Sequence, residues 1–347
     1  MRFSCAVLAL AIPPLLSAQA PERLSLDGRE VAIYNLVGKL RVEGGSGDRV
    51  VVEVTRGGRD AGRLSLETGD IRGRMALRVR YPGDRIVYSD ASWSGRTTFT
   101  ISDDGTWGDT DRGRGDSRRI EVSSRGDGLD AHADLHVMVP KGKALYLRQG
   151  VGETTIANVD GQLSVDVAAS HVRVSHVRGS LKLDTGSGGV DITDMTGDLT
   201  LDSGSGGATL EGVRGGTLHM DVGSGSLRGR AIDVTELVAD VGSGGVRLSG
   251  VKTPKLHLET GSGGSDIELL ASPDDVSIEA GSGGVTLRMP ASTSATVDIE
   301  TGSGGIDTDF EVTLSRIERR ALRGTIGTGK GRIRIESGSG NVRLMRS

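Results

Sequence analysis

A short glycine-serine turn returns at nearly constant spacing through the second half of the chain, and it restricts the possible folds more than any other feature. The turns open at Gly186, Gly204, Gly223, Gly242, Gly261, Gly281 and Gly302, with intervals of 18, 19, 19, 19, 20 and 21 residues. A period of this length means one supersecondary unit per repeat, and such a unit can bury its apolar side only by stacking on its neighbours. Between turns the apolar residues alternate with polar ones, as in Leu181, Leu183, Val190 and Ile192, or Leu256, Leu258, Ile267 and Leu269. Period two means strands with one buried face. The GSGG glycines are expected to supply the positive φ angles of a tight connection, while the opposite corner takes the length changes and Pro254, Pro273 and Pro290. The expected fold is all-β: a flattened β-solenoid of 18–21-residue coils with GSGG turns. An antiparallel meander with GSGG hairpins has the same periodicity, but length variation at one corner alone favours the solenoid.

The frame continues upstream through Asp166 to His171 and Gly150-Val151-Gly152, so the array is expected over residues 144–347. Gly327-Thr328-Gly329 and Gly338-Ser339-Gly340-Asn341 are later, irregular copies and are expected to form its closing end. Residues 21–143 read as an N-terminal irregular β region capping the first coils, with a polar stretch at 103–130 expected to be a mobile loop. Aromatic residues are 3% of the chain, and all but one of those beyond Phe3 precede Leu147. The repeats must therefore pack through Leu, Ile and Val.

Residues 1–20 have the form of a signal peptide: Arg2, an apolar run from Ala6 to Leu16, and the small-x-small site Ala18-Gln19-Ala20. The expected location is outside the cytoplasm, in the periplasm, on the outer surface or in the medium. Cys5 is the only cysteine and falls within that leader, so the mature chain is expected to carry no disulfide and no thiolate metal site. Losing Arg2 takes the formal charge from −4 to −5, which argues against nucleic acid as partner. No later run is long and apolar enough for a transmembrane segment.

Several constellations invite chemical readings. The acid two residues before each turn, Asp184, Asp202, Asp221, Asp240, Glu259, Glu279 and Glu300, forms one column in the repeat frame. Its carboxylates either accept hydrogen bonds from turn N–H groups or bind calcium or a cationic partner. His132, Asp134 and His136 alternate along a strand and are a second metal candidate, although the two histidines lie about 13 Å apart in extended chain. The turn serines lack the glycine two residues upstream that a nucleophile elbow requires. Gly324 to Lys330 follows phosphate-loop spacing, but Gly331 stands where Ser or Thr would hold magnesium, and a strand pattern follows. Arg114-Gly115-Asp116 and Arg125-Gly126-Asp127 lie in a stretch rich in those residue types, which accounts for both. The Asp pattern and the period do not fit calcium-binding nonapeptide repeats.

The chain resembles the bacterial putative-adhesin family, an exported domain of unknown function. The resemblance rests on Val31-Ala32-Ile33-Tyr34-Asn35-Leu36-Val37-Gly38, on Leu135-His136-Val137-Met138-Val139-Pro140-Lys141-Gly142, on the GSGG coils, and on Ser337-Gly338-Ser339-Gly340-Asn341-Val342-Arg343-Leu344. It implies a β-solenoid with a surface or envelope role and no catalytic residue. The expected function is a non-catalytic adhesion or binding scaffold for an unknown envelope or surface ligand, with no cofactor apart from the calcium reading. The alternatives are a β-helix enzyme acting on carbohydrate through Asp274, Asp275 or Asp309, and a passive structural scaffold. Sugar-binding enzymes usually offer aromatic platforms, and after Tyr146 only Phe310 remains.

Overall fold

The computed structural model describes residues 21–90, 93–108, 116–318 and 320–347. Residues 1–20, expected to be a leader, and the Arg114-Gly115 dipeptide fall outside the described residues. Among the described residues, apart from one short 3₁₀ turn at Ala61–Arg63, every element is a β-strand.

The alternating pattern produces a β-solenoid with two long parallel faces. On one face Leu145, Leu163, Leu181, Leu199, Leu218, Leu237, Leu256, Val276, Ile333 and Val297 stand in register on successive strands. All ten are buried. The other face contributes Val172, Val190, Ala208, Leu227, Val246, Ser265, Val285 and Val342 in the same way. The two inner rows meet across a narrow core.

The glycines act differently from the sequence expectation. Among the GSGG turns only Gly188 has φ in the left-handed region. What the turns require is close approach. A Cβ on the third turn residue would meet the carbonyl oxygen of the coil below at 1.7 Å for Gly206, 1.8 Å for Gly244 and 1.9 Å for Gly263. The left-handed positions sit at the opposite corner, where Asn158, His176, Asp194, Gly212, Ala231 and Gly250 all have φ between 52 and 69°. Each precedes a fully inward residue: Val159, Val177, Met195, Val213, Ile232 and Val251.

Three further expectations are corrected. The ladder does not begin at Ala144, because Glu30–Val37 and Leu40–Gly45 already form a coil in parallel register with Ala144–Ala157. Its corner carries no GSGG. A buried polar set replaces it: the Asn35 amide donates to the Ala133 carbonyl at 2.9 Å, and the Gln149 amide to the Gly38 carbonyl at 2.6 Å. Residues 103–130 are not one loop, for Ser117–Ser123 is a strand pairing antiparallel with Arg96–Ser102 and burying Ile120 and Val122. Finally, the last copy does not close the array. Gly331–Ser337 lies between Asp275–Ala280 and Ala295–Thr301, parallel to both. On the other face Val342–Arg346 lies between Val285–Met289 and Ile306–Thr308. The end on the first face is a hairpin, Val312–Glu318 and Ala321–Ile326, laid antiparallel on Ala295–Thr301.

Candidate functional site

Strand alternation points the acid column outward beside the turns, and the ladder sets its order. Asp166, Asp184, Asp202, Asp221, Asp240, Glu259, Glu279, Glu336 and Glu300 follow one another on adjacent strands. The seven acids expected from the repeat are thus all present, joined by Asp166 at one end. Glu336 separates Glu279 from Glu300. Its turn, Ser337-Gly338-Ser339-Gly340, carries the repeat signature, so the residue was recognisable in the sequence; its place in the stack was not.

Arginines flank the ends of the column. Arg148, with a side chain only 7% exposed, sits 3.5 Å from Asp166. Arg323 donates to Glu300 at 2.5 Å and to Asp298 at 2.8 Å. Within the column, His257 lies 3.1 Å from Glu259, and the Arg334 Nε donates to Glu336 at 2.9 Å. The expected bonds from turn N–H groups do not form at Asp202, Asp221, Asp240, Glu259 or Glu279. The first two N–H groups of each turn are already used, because the inter-coil ladder continues into the turn: Ser224 N–H donates to the Gly204 carbonyl and Ser243 N–H to that of Gly223, both at 3.1 Å. Partial burial, then the neighbouring Asp221 and Glu259, push the Asp240 carboxyl above the ordinary range, with His257 opposing. A trough of about 670 Å³ runs beside the turns, with Asp240, Glu259, Glu279, Glu336 and Glu300 on its wall.

Among the described residues no group of three or more His, Cys, Asp or Glu side chains is arranged to hold a metal ion. Strand spacing separates the column's carboxylates by about 4.8 Å, so an ion there would bridge neighbours without being enclosed. The other metal candidate is not brought together. His132, Asp134 and His136 share one face of His132–Pro140, yet each is engaged separately. His132 packs edge-on against Tyr88 at 5.3 Å. Asp134 accepts from the Lys39 N–H at 2.8 Å. His136 lies between Glu43 and Glu53, at 2.8 and 3.4 Å.

The remaining motifs lie on strand ends, turns and bends. Gly324 to Lys330 ends one strand of the terminal hairpin and turns into the next, with Ser294 Oγ accepting from the Thr328 N–H at 3.0 Å. No helix follows. Arg125-Gly126-Asp127 is an exposed bend. Asp274 and Asp275 lie at the start of Asp275–Ala280, whereas Asp309 follows Ile306–Thr308 on the opposite face.

A family model described as Toastrack DUF4097 matches residues 131–345. Two solved structures are similar to the chain at low identity. A putative adhesin from Parabacteroides distasonis ATCC 8503 shares 13% identity over 93% of this chain and 95% of its own, with a TM-score of 0.45. A putative cell adhesion protein from Clostridium sporogenes ATCC 15579 shares 11% over 94% of this chain and 100% of its own, with a TM-score of 0.21. No curated protein matches the chain. Among the described residues no helix is long and apolar enough to cross a membrane.

Proposed function

The chain belongs to the Toastrack DUF4097 family, and we propose on that footing that it is an exported, non-catalytic binding scaffold of the cell envelope or surface. The observation that carries this reading is the outer ridge of stacked turns, flanked by nine in-register carboxylates on adjacent strands. A rigid surface repeating every 4.8 Å or so suits a ligand that is itself repetitive, because many weak equivalent contacts add through effective concentration. The leader-like first twenty residues support export. The separation of Asp274 and Asp275 from Asp309, and the scarcity of aromatic side chains along the coils, support binding over carbohydrate cleavage. Calcium bridging neighbouring carboxylates is the form a cofactor would take here.

The test is incubation of the purified chain with envelope material and with defined polysaccharides, measuring both retention and release of reducing ends. Saturable retention without release is the expected result. Release of reducing ends would establish the enzymatic alternative, and neither retention nor release would leave a passive scaffold.

A further inference from the structure

On the other flank of the same turn ridge lies a second trough, of about 650 Å³, whose wall carries Arg228, Arg247 and Arg343 against one carboxylate, Asp266. Arg228 and Arg247 are register partners on adjacent strands, both exposed. Their neighbours on this face are ion-paired: Arg173 with Glu153, Arg230 with Glu211, and Arg288 with Asp266. Asp266 is the register partner of Arg247 and the nearest carboxylate along the column, but it is turned to Arg288. Among the described residues, Arg228 and Arg247 make no ion pair or side-chain hydrogen bond. Three strands further on, about 14 Å away by strand spacing, Arg343 lines the same trough, held by Asp307 only at 4.0 Å.

Two guanidinium groups held side by side on adjacent strands repel each other. Their planar forks match the oxygens of a carboxylate or phosphate, which would neutralise the pair. Along the trough floor Gly245, Gly264 and Gly284 leave turn backbone open between the small polar side chains of Ser226 and Asn341, so an extended chain can approach the backbone there. We propose that this trough binds the oxyanion groups, carboxylate or phosphate, of an extended anionic polymer, with Arg228 and Arg247 gripping one group and Arg343 a later one. The inference rests on the binding-scaffold reading and gives it a ligand class and a place on the ridge.

The experiment measures retention of the full chain on immobilised polygalacturonate, poly(glycerol phosphate) and neutral dextran, with envelope material alongside. Two double variants are compared. Arg228→Ser with Arg247→Ser removes the unpaired arginines, and Arg173→Ser with Arg230→Ser removes the same charge from ion-paired positions. The wild type should bind one or both anionic polymers and not dextran. The first variant should bind at least tenfold more weakly, and the second within twofold of wild type. Binding to polygalacturonate alone identifies carboxylate as the ligand group, and binding to poly(glycerol phosphate) alone identifies phosphate. Failure of both anionic polymers to retain the wild type, or equal losses in the two variants, would overturn the site. Envelope retention unchanged by Arg228→Ser with Arg247→Ser also overturns it while the scaffold reading stands. Absence of envelope retention in the wild type overturns the scaffold reading itself.

Discussion

Gly244→Ala and Gly264→Ala replace two glycines of neighbouring GSGG turns, and stacking geometry predicts opposite results. At Gly244 the new Cβ would lie 1.8 Å from the Gly225 carbonyl oxygen and 2.4 Å from its carbon. Relief requires the coils to part by more than about 1 Å, since carbon and oxygen approach no closer than roughly 3.2 Å without strain. That movement stretches the ladder bonds beside it, Gly242 N–H to the Val222 carbonyl at 3.0 Å and Ser243 N–H to the Gly223 carbonyl at 3.1 Å. Overpacking costs about 1–3 kcal/mol and each lost bond about 1 kcal/mol, giving an expected destabilisation of roughly 3–5 kcal/mol. At Gly264 the new Cβ would meet the Gly284 carbonyl oxygen at 3.6 Å, an ordinary contact. The chain already carries side chains at this turn position, as Ser226 and Asn341. Restricting the unfolded chain should then make Gly264→Ala neutral or stabilising by up to about 1 kcal/mol. Urea denaturation followed by far-ultraviolet circular dichroism measures both. Gly244→Ala within 1 kcal/mol of wild type, or Gly264→Ala as damaging as its neighbour, would refute the close-approach account.

Changing Asp202, Asp221 and Asp240 together to Asn should raise the melting temperature at pH 7, because four like-charged neighbour contacts disappear, each about 0.9 kcal/mol in water and about half that at physiological salt. The Asp240 carboxyl titrates above its unfolded value, so its ionisation costs the fold; that cost is absent below the carboxylate range and appears as pH rises through it. The variant's advantage should therefore fade in melts near pH 3, and millimolar calcium that stabilises the wild type but not the variant would show that the column holds the ion. Ala231→Gly should stabilise by about 0.5–1 kcal/mol in denaturant titration, since Ala231 has φ 53° where Gly212 and Gly250 serve the neighbouring coils. Deleting one period, Gly242 to Thr260, should leave a folded array, whereas truncation before Gly331 should cause aggregation on size-exclusion chromatography, because it unpairs strands on both sides of the inserted coil.

The strand alternation and the stacking were legible because burial on one face imposes period two on every coil, from Leu181 and Leu183 to Val285 and Leu287. The order of the last coils was not. Ala295–Thr301 and Gly331–Ser337 carry the same inward pattern and the same acid before the turn, so either could stack on Asp275–Ala280. The coil at Glu30 to Gly45 was hidden because its corner is held by buried Asn35 and Gln149 in place of glycines. The role of the glycines was misread because positive φ and close backbone approach select the same residue, and only the stacked neighbour distinguishes them. For the acids, a fixed offset from each turn revealed the column. The same offset logic applies to Arg228 and Arg247, one period apart, and would have placed them side by side.

Both ends of the array are closed in ways that direct attention to its length. A parallel stack leaves unpaired strand edges that recruit other chains unless they are blunted. At one end Glu22–Leu26 lies antiparallel on Val50–Gly57 and is tied by ion pairs from Arg56 to Glu22 at 2.7 Å and from Arg23 to Glu53 at 3.6 Å. Ser65–Ile71 similarly folds back on Arg74–Arg80, which continues the face of Glu30–Val37. At the other end the antiparallel hairpin covers one face, and the other finishes with only three residues, Ile306–Thr308. Charged, reversed or very short edge strands disfavour end-to-end growth. On the proposed scaffold reading the lateral ridge remains, with the acid column on one flank and Arg228, Arg247 and Arg343 on the other. A ligand lying along that ridge would meet carboxylates on one side and unpaired guanidinium groups on the other, so its own charge pattern, rather than its apolar surface, would decide which flank it occupies.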